Sequence, residues 1–184
     1  MKKLHVCPPW LCFTFDNRLR EMIHNPDIIL GKYVKQGFTV LDIGPGKGFF
    51  TSKLTDLVGD TGKVIAIDIQ EKMLDAVQSR VRKYGRIERL QTRLCTNDSP
   101  QISERYNFAN VFWMYHEVSN KLQFVRELYE KLDSEGCVLI SEPGIHVRRK
   151  KFDKSIDIAL SVGFYLSEEP KIALSHSAIL RRHK

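Results

Sequence analysis

The segment Val40-Leu41-Asp42-Ile43-Gly44-Pro45-Gly46-Lys47-Gly48-Phe49-Phe50-Thr51 decides how this chain folds. An apolar, β-rich run ends in glycines at 44, 46 and 48. It then enters a stretch in which Phe50, Leu54, Leu57 and Val58 share one helical face ahead of Gly59. Strand, glycine loop and helix open a βαβ unit, and glycine lets the backbone turn tightly and bring its N–H groups close to a ligand at the helix N-terminus. Outward from this segment the alternation repeats. Strands are expected at Thr39 to Ile43, Lys63 to Ile69, Ile87 to Leu94, Phe108 to Met114 and Cys137 to Ser141, mostly near-continuous apolar runs suited to burial on both faces. Met73, Leu74, Val77 and Val81 form a helical stripe ahead of Gly85. Phe124, Val125, Leu128, Tyr129 and Leu132 form another, capped by Asn120 and followed by turn residues Asp133 to Gly136.

Upstream, Asn25 and Pro26 read as N-cap and first residue of a short helix with Ile29, Leu30, Tyr33 and Val34 facing inward. Downstream, a helix over Phe152 to Val162 stops at Gly163. Two short strands, Phe164 to Leu166 and Ile172 to Leu174, then finish the sheet in antiparallel fashion. The expected class is therefore α/β, a doubly wound, mostly parallel seven-stranded sheet with an antiparallel last strand. At 184 residues the chain makes one domain, residues 1–184, with residues 1–24 as an N-terminal arm and 25–184 as the core.

Composition excludes several function classes. Hydrophobic residues are 42% and charged residues 28%, an ordinary folded mixture, and no apolar run approaches the roughly 18 residues of a spanning helix. The opening MKKLHVCPPWLCFTF has lysines like a leader, but His5 and the Pro8-Pro9 pair interrupt its apolar part, so it reads as mature sequence. Four cysteines in a chain of this length, with Cys95 and Cys137 in strand-like runs, fit reduced thiols and a cytoplasmic setting. Lys and Arg outnumber Asp and Glu by 29 to 22, a net +7, which permits an acidic partner without requiring one.

Three ligand classes compete for the glycine loop. A phosphate-binding P-loop needs Gly-Lys-Ser/Thr, whereas Lys47 is followed by Gly48 and Phe49. A dinucleotide fingerprint needs glycine at 49, where Phe49 stands, so an NAD-binding Rossmann protein is the runner-up. The segment resembles instead the first motif of class I S-adenosylmethionine-dependent methyltransferases, with Asp42 two residues before Gly44-Pro45-Gly46-Lys47-Gly48. Asp68, ending KVIAID, matches the acidic residue of the next strand in that family, where a carboxylate accepts hydrogen bonds from both ribose hydroxyls. FANVFWMYHEV and LDSEGCVLISEP resemble the fourth- and fifth-strand segments of its small-molecule members, with Ser134-Glu135-Gly136 replacing the usual Pro-Gly-Gly.

The resemblance implies a Rossmann-like fold and S-adenosylmethionine as cofactor. By it, Gly44, Gly46 and Gly48 form the loop at the methionine half, Asp42 helps hold the amino end, Asp68 grips the ribose, Ile69 and Cys95 flank adenine, and Trp113 stands near the methyl. The implied reaction is direct displacement onto a small-molecule acceptor, releasing S-adenosylhomocysteine, which asks the protein mainly to align the reactants and exclude water. A base is needed where the acceptor carries a proton, and His116 with Tyr115, after strand four, are the candidates. Glu142 and His146, after strand five, form a second polar set. Two alternatives stand beside this reading. One is an RNA methyltransferase using Arg148 to Lys151 and Arg181 to Lys184, and the other is a non-catalytic cofactor-binding protein. No metal is expected, since Cys7 and Cys12 lack further ligands nearby in sequence, and Trp10, Phe13 and Phe15 suit a lid over the cofactor mouth.

Overall fold

The computed structural model describes residues 22–97 and 99–183. Elements run α1 (Pro26–Leu30), β1 (Thr39–Ile43), α2 (Phe49–Leu57), β2 (Lys63–Asp68), α3 (Glu71–Lys83), β3 (Leu90–Leu94), β4 (Tyr106–Phe112), α4 (Lys121–Lys131), β5 (Leu132–Pro143), α5 (Arg149–Val162), β6 (Phe164–Glu168) and β7 (Ser175–Arg182). Among the described residues the sheet has seven strands in the order β3-β2-β1-β4-β5-β7-β6. All run parallel except β7, which is antiparallel to both β5 and β6. The expected architecture is therefore the observed one.

Strand alternation separates the two faces. Val40, Val64, Phe108, Leu139 and Ile179 point to one side, against Ile29, Leu30, Phe50 and Leu54 of α1 and α2. On the same side α3 packs Leu74, Val77 and Val81 on Ala66. Leu41, Ile65, Ala109, Val138 and Ala178 point to the other side, against Phe124 and Leu128 of α4 and Phe152 and Ile156 of α5. Burial on both faces explains why the central strands read as unbroken apolar runs. Local signals set the helix ends, with Asn25 Oδ1 accepting from Asp27 N at 2.9 Å and Asn120 Oδ1 from Gln123 N at 3.1 Å.

Three expectations need correction. Ile172 to Leu174 is a turn, closed by Ser175 N donating to Ile172 O at 3.2 Å, and Leu174 has φ +57°, which an extended strand does not accommodate. The strand beside β5 is instead Ser175–Arg182, whose apolar centre is only Ala178, Ile179 and Leu180. Residues 133–136 belong to β5 as a bulged entry, because Leu132 pairs with Tyr106 and Cys137 with Phe108. Finally, Ile87–Arg89 is a 3₁₀ turn leading into β3.

Candidate active site

Strand order reverses between β1 and β4, and the carboxyl ends of β1 to β5 surround a cavity of about 290 Å³. A crevice at such a switch point is where open α/β sheets bind ligands, because the chain leaves neighbouring strands in opposite directions there. Its floor is the loop Gly44 to Lys47. One flank is Asp68, Ile69 and Met73 with Cys95 to Asn97, and the other is Trp113, His116 and Ile145 with Leu174.

The three loop glycines do different work. A Cβ on Gly44, at φ +67°, would lie 2.7 Å from Met114 Cγ, so this glycine lets the loop meet the end of β4. At Gly46, φ +55°, a Cβ would meet nothing within 4 Å, leaving bare backbone beside open space. Gly48, at φ +79°, caps α2, and a Cβ there would sit 3.2 Å from the Val77 backbone. It serves close packing of α2 on α3 and does not line the cavity.

The Asp42 carboxylate is buried beneath the loop and is not among the cavity walls. Oδ2 accepts from Thr51 Oγ1 at 2.6 Å and Oδ1 from Asn110 Nδ2 at 2.9 Å. It ties β1, β4 and the first turn of α2 together under the glycine loop. Asp68 does reach the cavity, where its Oδ1 accepts from Gln70 N at 2.8 Å. Burial lifts its carboxyl from 3.8 to about 6 against the pull of two backbone N–H donors, with the Asp42 charge adding to the rise. Ile69 and Cys95 line the same end, and burial followed by the charges of Asp68 and Glu127 pushes the Cys95 thiol up to about 12, so it stays an uncharged wall.

At the opposite end Trp113 has φ +60°, a costly backbone for a bulky side chain. Its N–H donates to Ser141 O at 2.7 Å, its indole Nε1 donates to Ser175 Oγ at 2.9 Å, and His24 packs edge-on at 5.0 Å. His116 lines the cavity from a 3₁₀ turn, Tyr115–Glu117, with Nδ1 2.9 Å from Glu142 Oε2. Tyr115 does not line it. It is wholly buried in the core, its hydroxyl donating to Ser155 O at 3.4 Å, and burial followed by the Glu142 charge raises its pKa. His146 is at the rim, while Glu142 is enclosed behind His116. Sequence reasoning missed Met73, Met114 and Leu174 as lining residues, since nothing in their local pattern distinguishes them from core positions.

The basic clusters are partly engaged with the protein itself. Arg149 pairs with Asp153 and Glu169, Arg181 donates to Glu135 O and Gly136 O, and Arg182 donates to Leu132 O. Cys7, Cys12, Trp10, Phe13 and Phe15 lie outside the described residues. Among the described residues no cluster of His, Cys, Asp or Glu is arranged to hold a metal ion, and no helix is long and apolar enough to cross a membrane.

Residues 40–136 match the model of a family described as a methyltransferase domain. Over 124 residues the chain is 31% identical to a ubiquinone/menaquinone biosynthesis C-methyltransferase, UbiE, of Escherichia coli O1:K1 / APEC, a match covering 65% of this chain and 49% of that one. The chain thus spans about half the length of the curated relatives it matches. Among solved structures it is similar to a SAM-dependent methyltransferase from Aquifex aeolicus, with TM-score 0.83, 22% identity, and 95% and 98% of the two chains covered. A putative rRNA methylase from Clostridium thermocellum aligns at TM-score 0.69 and 18% identity over 92% and 97% of the two chains. At these identities the structural likenesses speak to the fold.

Proposed function

The chain belongs to the methyltransferase-domain family, and from that premise we propose that it methylates a small, neutral acceptor bearing an ionisable hydroxyl, using S-adenosylmethionine. One observation carries the reading. A single cavity has the Asp68 carboxylate and the bare Gly46 backbone at one end and the His116 imidazole at the other.

The residues present fit the cofactor. Gly46 leaves open space where a side chain would otherwise block the loop amides, Asp68 offers a carboxylate to vicinal hydroxyls, and Ile69, Met73 and Cys95 give an apolar wall for a flat heterocycle. When bound, the cofactor supplies a methyl carbon on a sulfonium, whose transfer leaves a neutral thioether and an acceptor that has given up one proton. The chain's own tasks are then to hold, to orient and to accept that proton. Trp113, Met114, Val118 and Leu174 confine the acceptor and exclude water. His116 takes the proton from the acceptor hydroxyl and returns it to solvent.

The walls support a neutral acceptor. Among the described residues lining the cavity the only Lys or Arg is Lys47, on the glycine loop, and Glu117 stands beside His116, a poor setting for a carboxylate or phosphate. The curated relative, a ubiquinone/menaquinone biosynthesis C-methyltransferase by name, supports a small-molecule acceptor. His24 supports the enclosure of this end of the cavity, packing edge-on against Phe112 and Trp113.

The test is incubation with S-adenosylmethionine and either a panel of neutral hydroxylated aromatics or a tRNA transcript, reading S-adenosylhomocysteine by mass spectrometry. Turnover with the small molecules is expected, falling about 100-fold or more in His116→Gln with cofactor affinity kept. Turnover with RNA alone would overturn the acceptor class.

A further inference from the structure

His116 and Glu142 are 26 residues apart in sequence, yet two rigid elements bring them together. Glu142 is near the end of β5, in register with His176 of β7, and only 2% exposed. His116 rides on the turn after β4, anchored by the fully buried Tyr115 and closed by Glu117 N donating to Met114 O at 2.9 Å. Their contact at 2.9 Å joins Nδ1 of the imidazole to Glu142 Oε2, while Glu142 Oε1 is buried with no hydrogen-bond partner among the described residues.

We propose that Glu142 is a positioning residue that fixes His116 as the Nδ1–H tautomer and leaves the Nε2 lone pair for the acceptor. This deepens the methyl-transfer reading and rests on it. An ionised carboxylate can only accept hydrogen bonds, so the nitrogen 2.9 Å from Glu142 carries the proton, whereas Glu117 Oε1, 3.9 Å from Nε2, lies beyond hydrogen-bond reach and leaves that nitrogen as the base. Its placement also anticipates the charged state. When Nε2 takes the acceptor's proton the ring becomes an imidazolium whose Nδ1–H still donates to Oε2, and Glu142 itself takes up no proton. The Lys121 ammonium also feels the Glu142 charge, but it is held by Val118 O at 2.8 Å and lies 5.0 Å from the Tyr115 ring centre.

Histidine-directed ¹⁵N spectra of the full chain in mildly alkaline buffer test the proposal, with the His116 signals assigned by their loss in His116→Gln. The wild type should show His116 as one dominant Nδ1–H tautomer. In Glu142→Met, a near-isostere unable to accept, the ring should revert towards the Nε2–H form preferred by free imidazole. Binding of S-adenosylhomocysteine within about twofold of wild type would show that the variant keeps its fold. Dominant Nε2–H in the wild type overturns the proposal whatever the variant does, and so does an unchanged Nδ1–H signature in a folded Glu142→Met protein. Absence of turnover with every acceptor would sink the methyl-transfer reading while leaving the tautomer result intact, so the two failures are distinguishable.

Discussion

At the scale of single residues, the loop glycines give separable predictions. Gly46→Ala meets no atom within 4 Å, so its stability cost is only the left-handed backbone, on the order of 1 kcal/mol. The added methyl nevertheless stands beside the cavity, and calorimetry should find S-adenosylhomocysteine affinity lowered about tenfold or more. Gly48→Ala should do the reverse. Its Cβ would press on the Val77 backbone, so urea unfolding should show a loss of about 2 kcal/mol or more, with affinity less affected. Asp68 links function to stability. Because its folded carboxyl titrates near 6 against 3.8 normally, its charge opposes folding by on the order of 3 kcal/mol at neutral pH. This penalty is fully present above pH 6 and disappears as the pH falls towards 3.8. Asp68→Asn should therefore raise the Tm of the unliganded protein at neutral pH by several degrees while sharply weakening cofactor binding, the Tm difference shrinking in acid. In the wild type, cofactor affinity should be flat above pH 7 and decline as the pH drops through 6.

At the scale of elements, Asp42 is the clamp on which the loop depends. Thr51→Val keeps the shape of α2 but removes the hydroxyl donated to a buried carboxylate oxygen, and should cost about 2 kcal/mol in urea unfolding. Cofactor affinity should fall only modestly, because Asp42 lies outside the cavity. Legibility in the sequence followed the range of the interaction. β1, the glycine loop, α2 and the end of β2 were readable because strand period, glycine and cap act within a few residues, and the same holds for Asn25 and Asn120. The last strand was misplaced because SHSAILRR carries only a short apolar centre. Its pairing with β5 is decided by tertiary contact, and the turn before it bends at Leu174, where no glycine announces it. Asp68, Ile69, Cys95, Trp113 and His116 line one cavity, whereas Asp42, Gly48 and Tyr115 are not among its walls. The His116 and Glu142 contact had no local signal at all, since it forms across two strand ends.

At the scale of the whole molecule, a net charge of +7 invites the thought of nucleic acid, but Arg149, Arg181 and Arg182 are engaged with their own fold. Retardation assays with tRNA should show only weak binding that vanishes with modest salt. In the proposed reading the cofactor end of the cleft is built by β1 to β3 and the acceptor end by β4, β5 and the turn before β7, so substitutions at either end should separate binding from turnover. The proposed grip of Asp68 on the sulfonium cofactor in this cleft can be measured by calorimetric titration of wild type and Asp68→Asn with S-adenosylhomocysteine, with NAD as the control. Saturable one-to-one binding in the wild type, lost in the variant and absent for NAD, is the predicted result. Binding of NAD without S-adenosylhomocysteine would contradict it.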